Sequence, residues 1–216
     1  MKRICQFAMI SGILCVIFYL MHDVIGAMNY PGYHPMKQAV SDLTATDAPS
    51  FAIASGLSSV YGIFSCLCCA LLCVMAMGQR KELKLGIYLF ALMSFVSAIG
   101  YSIFPLSSAG YDGSVQSMIH VFIITALVVL LSIASLIAMA IGGFRDGKRI
   151  LGIVSVFALV CMLLGAAGST VLPQDVFGLA ERFSTYSAVV FTGFLGIYWY
   201  IAMMKMDSGE AVMIAT

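Results

Sequence analysis

Apolar residues in this chain come in long blocks, with no two-residue alternation. Six blocks, at about residues 4–21, 51–77, 85–104, 115–144, 150–172 and 182–204, hold no Asp, Glu, Lys or Arg apart from Arg182 at the edge of the last. Each block is long enough to cross a ~30 Å hydrocarbon layer as a helix of ~20 residues. The first follows Lys2 and Arg3. It exceeds the ~7–15-residue apolar core of a signal peptide and no small-x-small cleavage site follows it, so it is expected to stay as a helix. The predicted fold is all-α, an integral membrane bundle of six transmembrane helices spanning residues 1–216 as a single domain.

The breaks between blocks differ in character. His22 to Ser50 is the longest polar segment, with a Pro31-Gly32 turn signal. After Pro35, Met36, Val40 and Leu43 fall at helical spacing with Lys37, Gln38, Ser41 and Asp42 between them. This predicts a short amphipathic helix at the membrane interface over 35–44. Asp47 with Pro49, and Asp175 before the last block, read as N-terminal helix signals. His22 and Asp23 fall at the end of the first block, as interfacial residues.

Composition agrees with the pattern. The chain is 62% hydrophobic and only 10% charged, against ~25% charged residues in a soluble domain. A net charge of +1 argues against a nucleic-acid partner, which would need a concentrated basic face; the partner implied is the lipid bilayer. The seven cysteines all lie in apolar stretches, which suits packing better than disulfides or a redox pair.

Charge also predicts orientation. Lys2, Arg3, Arg80, Lys81, Lys84, Arg145, Lys148, Arg149 and Lys205 lie on one side of the predicted spans, and Lys37 and Arg182 on the other. The basic side is expected to be cytoplasmic, with both termini on it. Every histidine then falls on the outer side, with Asp42, Asp47, Asp112, Asp175, Glu181 and Arg182. No carboxylate or cation lies mid-span, which argues against an ion-coupled transporter.

The candidate chemistry lies where polar residues enter helices from that side. The loop Phe104–Gly113 carries Asp112 and leads into a block with His120 in its first turns. An imidazole at that depth needs a hydrogen-bond partner; Asp112 is positioned to cap the helix or to reach it. Glu181 and Arg182 are adjacent, so they point ~100° apart on a helix and face different partners. His120 and Glu181 are the candidate catalytic residues, and Arg182, Asp42, Asp112 and His34 the candidate ligand-binding ones, with Arg182 holding an anionic headgroup. No HExxH or clustered histidine spacing assigns a metal, and no cofactor is implied. The serines and glycines from Ser55 to Ser65, and Gly165 to Ser169, read as close helix packing.

Three motifs carry a resemblance. Ser41-Asp42-Leu43 follows a first loop containing His and Pro, Phe104-Pro105 precedes His120, and Gly178-Leu179-Ala180-Glu181-Arg182 precedes the last helix. In this order they resemble the bacterial and archaeal multi-pass family known as domain of unknown function 998 (DUF998). Asp112 falls later than that family's usual acidic position after Phe-Pro. The resemblance implies a six-helix membrane protein without an assigned reaction. The leading expectation is an outer-leaflet polar pocket that binds or processes a lipid or another amphiphile. A non-catalytic membrane scaffold and a small passive permease are the alternatives.

Overall fold

All five prolines (Pro31, Pro35, Pro49, Pro105 and Pro173) fall between the apolar blocks, so nothing interrupts the backbone ladder within a block. In lipid that ladder is the only way to satisfy every peptide group. The computed structural model describes residues 1–207 and has six long helices: α1 Lys2–Met28, α2 Phe51–Ala76, α3 Lys81–Ile103, α4 Val115–Arg145, α5 Arg149–Val171 and α6 Phe177–Asp207. All six are long and apolar enough to cross a membrane, and no strand occurs among the described residues. The chain is thus an all-helical, multi-pass membrane protein.

The helices pack as a closed ring in chain order, with α6 returning to α1. Residues 77–80 and 146–148 form tight turns at one end. There Lys2 of α1 meets Asp207 of α6 at 3.7 Å, and Arg145 pairs with Glu82. The connections 29–50, 104–114 and 172–176 lie at the other, loop-rich end. The turn end of the ring is filled by apolar side chains. Phe90 and Phe191 meet edge to face at 5.5 Å, surrounded by Leu72, Leu83, Leu136 and Leu195. Close crossings need glycine: a Cβ on Gly142 would stand 2.5 Å from the Leu83 amide nitrogen. The outside of the ring is apolar, with Phe7, Ile63, Leu130, Phe157 and Leu164 all exposed. Such a continuous exposed face fits lipid.

Two helices outrun their apolar blocks. α1 passes residue 21 and carries His22 and Asp23 inside the ring, and α6 begins at Phe177, before Glu181 and Arg182. Both extensions are possible because their charges neutralise each other. The segment 35–44 also differs from the amphipathic interfacial helix expected there. Its helical part is one five-residue 3₁₀ turn, Val40–Thr44, with Val40, Asp42 and Leu43 buried. Leu43 lies over Gly26, where a Cβ would sit 3.0 Å from it, and Ser50 donates to its carbonyl at 2.8 Å. The turn is folded into the mouth of the ring.

Candidate functional site

Helix ends at the loop-rich side leave backbone groups that must find partners, and side chains from other elements supply them. At α4, Ser114 is the N-cap and accepts from Ser117 N–H at 3.1 Å. Asp112 is exposed and acts one step earlier, accepting from Ser114 N–H at 3.0 Å. His120 is buried, and its Nδ1 lies 2.7 Å from the Phe104 carbonyl. A carbonyl only accepts, so Nδ1 carries the proton and Nε2 is left as the acceptor of the neutral ring. Its partner is therefore the Phe104 carbonyl, where the sequence had suggested Asp112.

His120 sits in a widened, π-helical stretch, Ile119–Thr125. Thr125 donates to the His120 carbonyl five residues back at 2.9 Å, and the Tyr101 hydroxyl donates to Thr125 at 3.0 Å. The Tyr101 ring lies 4.6 Å from the imidazole. Single π turns of this kind recur at functional sites.

A second imidazole has the same arrangement. His22 on α1 is 3% exposed, and its Nδ1 lies 3.0 Å from the Ala54 carbonyl. Next to it, Tyr19 packs edge to face on Tyr61 and Tyr186. The signal for His22 was present in the sequence. Cys15, Tyr19, His22 and Gly26 repeat at spacings of four, three and four, which is the buried face of α1.

Glu181 and Arg182 divide as their adjacency requires. Glu181 accepts from Val40 N–H at 2.6 Å and so holds the 3₁₀ turn. Arg182 forms a bidentate pair with Asp23, Nε to Oδ2 at 2.9 Å and Nη2 to Oδ1 at 2.7 Å. It also donates to the Tyr33 hydroxyl and to the carbonyls of Pro35, Gln38 and Gly178. Tyr186 donates to Asp23 at 2.7 Å. Each guanidinium nitrogen thus donates to an acceptor within the protein. The group locks the first connection across α1 and α6.

Asp42 ties that connection to the next one. Its Oδ2 accepts from Ala39 N–H at 3.2 Å and its Oδ1 from Gly110 N–H at 2.8 Å. Burial pushes its carboxyl above the ordinary carboxylate value, and the Gly110 and Ala39 donors and Arg182 pull it part of the way back. His34 is exposed and stands apart, as does Asp175, which pairs with Lys37 at 2.6 Å.

Under the 3₁₀ turn lies a chamber of about 170 Å³ inside the ring. His22, His120 and Glu181 all line it, with Tyr19, Tyr61 and Tyr101. Ser41 and Thr44 form its roof, and Ser132 and Met162 mark its deep end. Four candidate residues do not line it: Asp112, His34, Arg182 and Asp42, the last of which anchors the roof. The lining contains no Lys or Arg. Among the described residues no three His, Cys, Asp or Glu side chains gather as a metal ion would require. Chemically, the chamber offers a carboxyl, two imidazole acceptors and hydroxyls, with Tyr19, Tyr61 and Tyr101 among its walls.

No curated protein and no solved structure matches the chain. The family model described as "Protein of unknown function (DUF998)" matches residues 13–198, from the middle of α1 to near the end of α6, and so takes in all the helices that wall the chamber. The chain therefore belongs to the DUF998 family.

Proposed function

We propose that this is a multi-pass protein of the cell membrane, with cytoplasmic termini, whose chamber binds or processes the polar head of a lipid or another amphiphile. The observation that carries the reading is convergence: His22, His120 and Glu181 come from three different helices and line one cavity at membrane depth. Buried polar groups there are costly unless they serve a ligand or a fold contact. Each has only part of its hydrogen-bonding capacity directed at the fold, with Nε2 of both rings left as acceptors. In this reading His120 and Glu181 contact the ligand head and are placed for proton transfer, and Asp42 and Arg182 hold the roof. The orientation rests on the basic residues: at the loop-rich end Lys37 and Arg182 are both paired with carboxylates, and the other nine lie toward the turns and termini.

Native mass spectrometry with elemental analysis, on protein purified in mild detergent, tests this. Wild type is expected to retain an amphiphile that His120→Ala and Glu181→Gln lose at least in part, while both variants stay monodisperse. If neither variant changes what is retained, the chamber reading is wrong. The scaffold reading draws on the Asp23–Arg182 lock. It expects these variants to shift only the melting temperature.

A further inference from the structure

A second cavity adjoins the chamber from outside the ring. It is a cleft of about 520 Å³ between α2 and α3, running from Phe51 to Cys66 on one helix and from Phe95 to Pro105 on the other. Ile63, Phe95 and Ile99 on its rim are exposed on the lipid-facing surface. Thr44, Ser58, Tyr61, Ser97 and Tyr101 line both cavities. Only side chains therefore separate the two spaces. The α2–α3 pair is the least extensively packed of the six neighbour pairs in the ring. It is closed at the deep end of the cleft, where Ser65 and Ser94 share a 2.6 Å hydrogen bond.

We propose that this cleft is the lateral entrance to the chamber and the seat of the ligand's alkyl chain. We further propose that the ligand is a single-chain amphiphile whose head is a hydroxyl or an amine. The inference rests on the chamber reading above and adds to it a route and a chemical class.

The class follows from the polarity of the walls. Ser55, Ser59 and Ser102 each donate their hydroxyl hydrogen to a carbonyl four residues back in their own helix. What they present to the cleft is oxygen lone pairs. The chamber continues the theme, with the Glu181 carboxyl and the two Nε2 atoms as acceptors and no Lys or Arg in its lining. A head that donates hydrogen bonds is complementary to these walls. A phosphate or carboxylate head would be desolvated beside Glu181 with no cation to meet it. Size agrees: the chamber, at about 170 Å³, is the smaller of the two spaces and suits a compact head, while the cleft of about 520 Å³ suits the chain.

A rival cleft of about 430 Å³ lies between α5 and α6, lined by Phe157, Phe183 and Val190 with Arg182 at its edge. It shares no lining residue with the chamber. Its one cation is already locked to Asp23, and it gives an alkyl chain no way to the chamber's carboxyl and imidazoles.

The test uses four probes with one oleyl chain: oleyl alcohol, oleylamine, oleic acid and oleyl phosphate. The protein is held in phosphatidylcholine nanodiscs and labelled with an oleyl alcohol bearing a diazirine in its chain. Adducts are expected on residues 55–66 and 95–105. The alcohol and the amine should compete for labelling about tenfold better than the phosphate or the acid. Ser59→Phe, which fills the cleft without touching the chamber lining, should cut labelling by a similar factor. Adducts on Phe157, Phe183 or Val190, which line only the rival cleft, overturn the route, and so does undiminished labelling in Ser59→Phe. Equal competition by oleyl phosphate overturns the head class. In those cases the chamber reading survives if His120→Ala still loses the retained amphiphile. Should no probe bind and His120→Ala change nothing, both readings fall together.

Discussion

Asp23→Ala is the substitution with the largest expected cost outside the core. The two side chains of the Asp23–Arg182 pair are 9% and 11% exposed, so the scale for buried pairs applies and the scale for surface bridges does not. Removing the carboxylate leaves a desolvated guanidinium with its Nε–H and one Nη2–H unpaired, and it removes the acceptor of the Tyr186 hydroxyl. Breaking a buried pair from one side costs about 3–5 kcal/mol. For a chain of this size that lowers the melting temperature by on the order of 10 °C. The protein supplies its own reporters, since Cys15, Cys68 and Cys69 are fully buried thiols. Thermal unfolding followed with a thiol-reactive fluorophore reads the shift directly. Arg182→Leu is expected to be similarly damaging, because it also strands the carbonyls of Pro35, Gln38 and Gly178. The double variant removes both charges, so its loss should fall short of the sum of the singles by at least ~1 kcal/mol. A melting point for Asp23→Ala within about 2 °C of wild type, or strictly additive losses, would refute the lock.

Three further outcomes follow from the same structure. Thr125→Val keeps the shape of the side chain and removes both the bond to the His120 carbonyl and the acceptor of Tyr101; a loss of about 1–3 kcal/mol in thermal unfolding is expected, and no loss would detach the threonine from the π-helical turn. Gly142→Ala drives a Cβ against the Leu83 backbone, so overpacking should cost about 1–3 kcal/mol, and a variant as stable as wild type would mean that α3 and α4 can slide apart freely. Asp42 gives a pH signature. Its folded carboxyl lies above the ordinary value, so the folded state holds that proton more tightly than the unfolded one. The resulting contribution is full below the unfolded value of about 4 and is lost as pH rises through the folded value. The stability advantage of wild type over Asp42→Asn should therefore shrink from acidic pH toward neutrality; an advantage that grows with pH would contradict the burial argument.

The sequence made the spans legible because a membrane helix must be apolar on every face over most of its length, and length alone then separates it from a buried strand. Helix ends were less legible. α1 continues through Asp23 only because Arg182, 159 positions later, neutralises it, and no local rule sees that partner. The same holds for the site. His120 and Glu181 could be singled out as polar residues entering helices, and both line the chamber. His22 looked interfacial, although its register with Tyr19 and Gly26 put it on the buried face of α1. Asp112 looked like a partner for His120, but the Phe104 carbonyl lies nearer the ring. The serines of α2 read as close packing, and Ser65 does pack on Ser94. Ser55, Ser58 and Ser59 border open space instead, because α2 meets α3 so sparingly.

The lock between Asp23 and Arg182 also dictates the order in which the chain can be completed. Asp23 leaves the ribosome with α1, and Arg182 arrives with the last helix. In between, the Asp23 carboxylate waits without its cation, and the 3₁₀ turn has no Glu181 to hold Val40. The chamber therefore gains its roof only when α6 inserts beside α1 and closes the ring. A chain stopped before Phe177 lacks both Glu181 and Arg182, so its first connection is unheld and the circle of helices stays open between α5 and α1.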